Sequence, residues 1–490
     1  MRTAQSQRSI LSRMMLLSIG DVLPGVSLVI ISMLFLCFLV QDVSNNTSVG
    51  LPPVLAGVVA LIGGLAGIIL APVFGHLSDQ SRSGYGRRRA FFLFGIVPVA
   101  ASFALIWLTF KTDSIAFKAV FYTLAYALFN LVFAMVFTPY EALPADMTED
   151  FKKRSSFFSI RTLVFSLAAL GCLLSAMPIV KVFPNKPQAA FLVLGAFFGA
   201  LSSVPWFFAF FKARERHVDA TDYGRHTRLF SAIRAALQNR SLRAALFMEA
   251  CAFFTALALF LLLTPYIAFY LNKAGDITLI LAFAAGGAII SSLISAVLTT
   301  KKGAGYAYRT GLLVTAAGLI TTFFLPLDTP AILFAIAAAL SGAGIALAVA
   351  AGRVALSFAS DVGEFMFQRP MRGLYAGLSL SIKILLLSLA LFISGLIFKY
   401  FGLGLTEPLL DAMTGTPLAI LRIAFLLLPM LGLIAGIAVS FMCPFTQKSY
   451  IIIRNENMKK RSGAEIDVED KESIYTAERL TGKPYGDLME

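Results

Sequence analysis

Charge is scarce in this chain. Asp, Glu, Lys and Arg make up 14% of its 490 residues, against about 25% in an average soluble domain. Hydrophobic residues reach 58% and mean hydropathy is +0.81. A water-soluble fold could not hide that much apolar surface, so the chain reads as membrane-embedded. Histidine is nearly absent. His76, His217 and His226 all fall in polar segments, which argues against a histidine metal site. Cys37, Cys172, Cys251 and Cys443 lie in or beside apolar runs without metal-ligand spacing and read as buried thiols. No strand precedes Gly63-Gly-Leu-Ala-Gly67 or Gly342-Ala-Gly344, so neither is a phosphate loop, and both read as close helix packing. No nucleophile–base or metal arrangement is visible, so the chain is expected to be no enzyme and to carry no cofactor.

Acids are the scarcer sign, leaving a net charge of +14, but the excess is not a nucleic-acid face. The Lys and Arg residues concentrate at the N-terminus, in 82–89, 152–161, 212–243, 301–309 and 353–372, and in the tail. Lys111, Lys118, Lys181, Lys186, Lys273 and Lys399 fall on the other side, leaving Lys383 and Arg422 inside apolar runs. That asymmetry is positive-inside bias, and it places both termini in the cytoplasm of a cell (inner) membrane protein. Arg2, Arg8 and Arg13 precede an apolar run with no clean cleavage site, which reads as a retained first span.

What the chain has is spans, at about 20 mostly apolar residues each. Runs lie near 16–41, 52–74, 90–110, 118–142, 157–180 and 189–211, then near 244–271, 277–299, 310–327, 330–358, 373–400 and 417–443. The expected architecture is an all-α membrane protein of twelve helices in two six-helix bundles, 1–211 and 244–445. A cytoplasmic linker, 212–243, joins them, and the tail 446–490 reads as mostly disordered or a short surface helix. The halves echo each other. Arg82-Ser-Gly-Tyr85 is matched by Lys302-Gly-Ala-Gly-Tyr306, and the acidic-then-basic run Glu141–Arg154 by Asp361–Arg372. Parallel repeats of this kind suit a carrier that rocks about a midplane site.

Ionisable residues inside spans cost about 2.5–3.5 kcal/mol at mid-helix, so each marks a candidate site. Lys383 sits roughly 15 Å into span 11 and should face a partner or cavity. Asp21 lies in Ile19-Gly-Asp-Val-Leu-Pro-Gly25, where Pro24 and Gly25 can break span 1 beside the acid. Glu249 in span 7 is a second candidate proton carrier. Glu141, Arg161 and Arg353 are expected within roughly two turns of a helix end, able to snorkel or pair structurally. Asn130, with Tyr122 and Tyr126 on span 4, could hydrogen-bond a solute or simply pack.

The stretch Gly75-His-Leu-Ser-Asp79…Gly86-Arg87-Arg88-Arg89 is read as a short cytoplasmic loop between spans 2 and 3. It closely resembles the corresponding gating loop of major facilitator transporters. Gly20-Asp21, Gln41-Asp42, Pro72-Val-Phe-Gly75, Pro139-Tyr-Glu-Ala-Leu-Pro144 with Thr148, Asp150, Arg154 and Arg161, Asp361 with Arg372-Gly-Leu-Tyr375, Lys383, and Cys443-Pro-Phe-Thr446 extend the likeness. Together they resemble the glycoside-pentoside-hexuronide:cation symporter family, the group of melibiose permease. The resemblance implies twelve spans, alternating access and cation-coupled solute uptake. It implies gating by Gly75, Asp79, Gly86, Arg87, Arg88, Arg89 and Asp361.

The chain departs from that pattern in one respect that bears on coupling. Sodium-using members carry two acids on span 2, where this chain has Gly67 and Ala71, and no carboxylate occurs in 51–78. Sugar-contacting acids of melibiose-type members correspond here to Phe137 and Gly25. With two Trp and 44 Phe, the cavity could equally suit an amphiphile such as a lysolipid, and a non-transporting receptor or scaffold is a further alternative. The expected partners are a small solute, a proton on Asp21 or Glu249 with Lys383 as counter-charge, and the bilayer. Nucleic acid is not among them. The chain is expected to be monomeric. Asp21, Asn130, Glu249, Lys383 and Arg161 are the candidate substrate and coupling residues.

Overall fold

The computed structural model describes residues 13–40, 49–110, 112–182, 187–213, 228–400, 416–442, 444–462 and 470–489. Gln41, Asp42, Lys111, Lys186, His217, His226 and Cys443, singled out above, lie outside the described residues. Among the described residues eleven helices are long and apolar enough to cross a membrane, and a twelfth, Arg89–Leu105, is shorter. The first bundle comprises α1 (Arg13–Val40), α2 (Pro53–Gln80), α3 (Arg89–Leu105), α4 (Ile115–Met147), α5 (Phe151–Lys181) and α6 (Pro187–Lys212). A short helix, α7 (Leu229–Gln238), precedes the second bundle. That bundle comprises α8 (Arg240–Tyr270), α9 (Ala274–Lys302), α10 (Ala304–Phe324), α11 (Ala331–Phe367), α12 (Arg372–Tyr400) and α13 (Thr416–Ser440). Each bundle has its own buried apolar cluster, although Leu380, Ile384 and Leu391 of α12 join the cluster of the first.

Several helices run past the apolar stretches that announce them. Gly75–Gln80 are the last turns of α2 rather than loop, α4 continues to Met147, and α11 continues to Phe367. All three extensions lie at one end of the molecule, the basic end, which carries the 81–88 connection and α7. Their acids Asp79, Asp146, Asp361 and Glu364 pair with Arg87, Arg88, Arg154 and Arg372 of neighbouring segments, so the backbone stays helical where hydropathy alone would stop it. Arg161 therefore sits ten residues inside α5 and Arg353 fourteen residues before the end of α11. Neither lies near enough to a helix end to snorkel.

Helix α1 is broken where its sequence suggests. Pro24 cannot donate to the Gly20 carbonyl, and a 3-10 turn occupies Ile19–Asp21 ahead of the regular helix from Val22. Gly25 serves a different need. A Cβ there would lie 2.8 Å from the Phe165 carbonyl oxygen, so the glycine lets α5 approach.

The bundles meet chiefly where α2 crosses α12 and α5 crosses α9. The first contact is built on small residues, as membrane helix pairs without a hydrophobic driving force require. At the basic end Gly75 and Gly373 face each other, and a Cβ on either would lie 2.2 or 2.4 Å from the other's carbonyl oxygen. On the α5–α9 side Ser159 Oγ and Ser295 Oγ share a hydrogen bond of 2.5 Å.

The tail differs from the expectation. It forms α14 (Gln447–Ser462), α15 (Lys471–Thr481) and α16 (Tyr485–Met489), which bury Tyr450, Ile453, Ala477, Leu480, Tyr485 and Leu488 against the second bundle. Few of each helix's side chains are apolar, so no sustained period marks them in sequence. Helix α14 also reaches the first bundle, where Tyr450 Oη donates to the Glu149 carbonyl at 2.6 Å and Arg454 pairs with the Glu149 carboxylate at 3.0 Å.

The Gly75–Gly373 contact yields a prediction. Gly373→Val should force the two helices apart at a cost of about 1–3 kcal/mol. The thermal midpoint of the purified protein should fall, and a single cysteine at Ala376 should label faster with a bulky maleimide added from the basic side. Unchanged labelling would show that this crossing does not hold the end closed.

Candidate functional site

Two charged assemblies occupy the bundle interface. The deeper one brings four ionisable groups from four helices together. Arg161 of α5 lies with its Nε 2.5 Å from Asp21 Oδ2 and its Nη1 2.7 Å from Glu141 Oε2. Arg353 of α11 reaches over from the second bundle, its Nη1 3.2 Å from Asp21 Oδ1 and its Nε 3.6 Å from Glu141 Oε1. The single proton of the Tyr140 hydroxyl has two acceptors in reach, Asp21 Oδ2 at 2.7 Å and the Leu17 carbonyl at 2.8 Å, and the ring centre lies 4.2 Å from the Arg161 guanidinium carbon. Gly20 makes that possible, because a Cβ there would sit 2.7 Å from the Tyr140 ring. Asp21 and Arg161 are fully buried. Two carboxylates balance two guanidiniums, which is how a buried charge cluster escapes the penalty of an isolated ion.

The second assembly closes the basic end. Asp79 Oδ1 accepts from Arg88 Nη2 at 3.0 Å and from the backbone N–H of Gly373 at 2.8 Å, while Oδ2 accepts from Leu374 N–H at 2.9 Å. A carboxylate of the first bundle thus caps the N-terminus of α12, where the helix dipole favours negative charge. Asp146 accepts from Arg87 at 2.7 Å, from Arg88, and from Arg372 across the interface at 2.9 Å. Arg154 pairs in the other direction, with Asp361. Glu364 holds Arg372 at 2.7 Å. Gly86 has φ +111°, a backbone conformation L side chains rarely adopt, and it turns the chain so that Arg87 and Arg88 point back into the interface.

The sequence-derived candidates distribute unevenly over this geometry. Lys383 pairs with Glu249 at 2.9 Å, and Ser379 donates to the same carboxylate. Lys383 and Glu249 therefore partner each other within one bundle, while the counter-charges directly on Asp21 are Arg161 and Arg353. Asn130 is buried and donates to the Tyr126 carbonyl of its own helix at 2.9 Å, apart from both charge clusters. Tyr122 donates to the Leu108 carbonyl at 2.6 Å, and Tyr126 stacks among Phe35 and Phe129. Arg89 turns outward, its Nε donating to the Phe210 carbonyl at 2.6 Å with its guanidinium over the Phe210 ring. Gly67 and Ala71 are packed. A Cβ on Gly67 would meet Ile384 Cδ1 at 2.7 Å, and the Ala71 carbonyl lies against Gly377.

Sequence reading passed over Asp146 and Glu364, and treated Glu141 and Arg353 as peripheral. A signal was present. Each echoing run carries acids before bases, and the structure pairs the acid of one run with the base of the other, as Asp146–Arg372 and Arg154–Asp361.

A family model described as MFS/sugar transport protein matches residues 16–447. An uncharacterized symporter of Synechocystis sp. is 31% identical over 191 residues, 37% of this chain and 34% of that protein. The putative glycoside/cation symporter YagG of Escherichia coli is 30% identical over 175 residues, 34% of this chain and 36% of that protein. A putative 2,3-dihydroxypropane-1-sulfonate exporter of Salmonella typhimurium is 23% identical over 282 residues, 56% and 60% of the two chains. The chain thus matches little more than a third of the length of the first two relatives. Among solved structures, the proton:xylose symporter XylE bound to 6-bromo-6-deoxy-D-glucose superposes with a TM-score of 0.59 at 13% identity, covering 88% of this chain and 95% of that one. An outward-facing bacterial homologue of the iron transporter ferroportin gives 0.57 at 14% identity, covering 88% and 98%. At such identities these structures speak to the fold alone. Twelve helices in two bundles, the charged turns between α2 and α3, and a family match running through the last span lead to one conclusion: the chain is a multi-pass membrane protein of the MFS/sugar transport family.

Proposed function

We propose that the protein is a secondary active transporter that moves a small, glycoside-like solute by alternating access, in symport with a proton. The observation that carries this reading is the buried cluster of Asp21, Glu141, Arg161 and Arg353, whose members come from both bundles. A proton placed on either carboxylate leaves two guanidiniums facing one anion. Charge uncompensated at that depth is costly, and the strain falls on the contact between α11 and the first bundle. Protonation and bundle separation are thereby linked. The names of the relatives, symporters among them, agree with this class of activity.

In this reading the basic end faces the cytoplasm of the cell (inner) membrane, with both termini there, in keeping with the distribution of Lys and Arg. The protein works as a monomer with one bundle on each side of the solute path. Sodium has no place at span 2, because Gly67 and Ala71 offer no side-chain oxygen and are taken up in the α2–α12 crossing. Backbone carbonyls within an intact helix are already engaged.

Uptake by proteoliposomes under imposed gradients tests the coupling. Glycoside accumulation should rise when the outside is made acidic and stay unchanged when sodium is imposed. Sodium stimulation with no pH response would remove the proton assignment. A lysolipid carried in preference to every glycoside would replace the solute class, and counterflow of no solute would favour a receptor or scaffold.

Asp21→Asn should separate coupling from movement. The amide can still accept from Tyr140, but it leaves Glu141 as the sole anion of the cluster between two guanidiniums, where Glu141 no longer takes up a proton. Proton-driven accumulation should be lost while solute counterflow, which needs no net proton movement, persists. The thermal midpoint should drop, because taking one partner from a buried ion pair costs about 3–5 kcal/mol. Retained accumulation would show that coupling does not depend on the charge of Asp21.

Asp79→Asn tests the gate. The amide loses charge-assisted acceptance from Arg88 and from the α12 N-terminus, so inward-facing conformations should gain population. Cysteine labelling at Ser360 from the basic side should quicken and the solute-driven change in labelling should shrink. Unchanged labelling together with unchanged transport would exclude a gating role.

A further inference from the structure

Between the two charged assemblies lies a crevice that neither of them uses. It is lined by Glu141 and Arg353 at its deep end, by Ser357, Ser360 and Tyr375 along its length, and by Arg372 where it meets the basic-end network. It is large enough for a water molecule. Polar atoms on four of these residues are buried and donate to or accept from no other group: Glu141 Oε1, Arg353 Nε, Ser357 Oγ and Arg372 Nε. Arg353 Nε and Glu141 Oε1 face each other at 3.6 Å, beyond direct hydrogen bonding. Buried polar groups left this way are expected to hold water. Glu141 and Arg353 are both more than nine-tenths buried by side chain, so these polar groups are built in rather than borrowed from the surface, and apolar side chains such as Ala142, Phe158 and Leu356 complete the lining.

Arg372 stands where the crevice meets the basic-end network. Arg372 is held by Asp146 of α4 and by Asp361 and Glu364 of α11. Its guanidinium stays charged at every physiological pH and offers donors but no acceptor, so where it meets the crevice it cannot take up a proton and pass it on. Two of its three carboxylate partners belong to its own bundle. Separating the bundles at the basic end takes away Asp146 alone and draws Arg372 aside with α11.

We infer that this crevice is a proton route from Glu141 to the basic end, stoppered by Arg372. The inference rests on reading the buried cluster as the proton site. Glu141 is faced by Arg161 from α5, Arg353 from α11 and Lys383 from α12, with Asp21 and Tyr140 sharing the cluster and Arg372 at the far end of the crevice. Once the basic end opens, the Glu141 carboxyl gives its proton to a crevice water and becomes a carboxylate. The hydronium so formed hands a proton onward through water and the Ser357 and Ser360 hydroxyls, each taking one proton and releasing another, and the last proton enters the solvent at the basic end. The carboxylate left behind is again paired with Arg161 and Arg353. With the stopper in place the same path is shut, so no proton crosses without the conformational change.

A solute-free measurement decides this. Proteoliposomes loaded with a pH-sensitive dye, with a potassium diffusion potential set by valinomycin, report proton entry directly. Arg372→Ala should admit protons about tenfold faster than wild type, and Arg372→Ala combined with Glu141→Gln should return to the wild-type rate. A leak that survives in the double variant would show general opening of the end rather than a route through Glu141, and would overturn the inference. So would the absence of a leak in an Arg372→Ala protein that elutes as a single species and still exchanges solute. Should Arg372→Ala not fold, Arg372→Gln keeps most of the length and the amide donors and gives the same reading. A wild-type protein whose uptake ignores pH would remove proton coupling, whereas the leak comparison tests the stoppered route by itself.

Discussion

A guanidinium below the membrane surface needs a carboxylate, and in this protein the carboxylate repeatedly belongs to the other bundle. Arg353 of the second bundle leans on Asp21 and Glu141 of the first, Arg372 leans on Asp146, and Arg154 of the first leans on Asp361 of the second. Asp79 completes the pattern with backbone N–H groups of α12 in place of a side chain. Breaking any of these pairs inside the protein costs far more than breaking a surface ion pair. Elsewhere the interface packs glycine, alanine and serine with a few larger apolar side chains such as Leu380, Ile384 and Leu391, and the small residues let the helices approach closely. The charges therefore set which end is shut, and the small residues let the bundles pivot.

The echo between the two halves acquires a physical meaning from this exchange. A duplicated sequence carrying acid and base in each copy can satisfy every charge by crossing the copies over, as the Asp146–Arg372 and Arg154–Asp361 pairs do. The exchange is incomplete at the centre. Asp21, Glu141 and Arg161 come from the first bundle and Arg353 alone comes from the second. The second bundle instead closes Lys383 on its own Glu249. The asymmetry leaves Arg353 as the cluster's one ion-pair partner across the interface.

The spans and their order were legible because hydropathy is a local property of twenty residues. Their ends were not, because the extension of α2, α4 and α11 beyond the apolar runs depends on partners far away in the chain. Depth measured from the edge of the apolar run made Arg161 and Arg353 peripheral, although they sit well within α5 and α11. Lys383 lies eleven residues into α12, distant from either end, yet its partner could not be chosen among the available acids. The tail was misjudged for a related reason. Tyr450 and Ile453 of α14 and Leu480 of α15 are too few to give a period, and their burial is supplied by the basic end on which they rest.

Gly67 and Ala71 show why the place of coupling follows from packing as much as from charge. In sodium-using members of the group the chain resembles, span 2 has carboxylates at these positions, and an oxygen-lined site has to stand open beside them. Here a single added carbon at Gly67 would already press on Ile384 and Asn130, and Ala71 lies directly against Gly377. The crossing of α2 and α12 is therefore closed to a hydrated ion along this stretch. In the deep cluster, two guanidiniums already occupy the room a metal cation would need beside Asp21 and Glu141. A proton needs no such room. It can neutralise a carboxylate in place, without ligands and without displacing either arginine, which is why the proposed coupling runs through a proton.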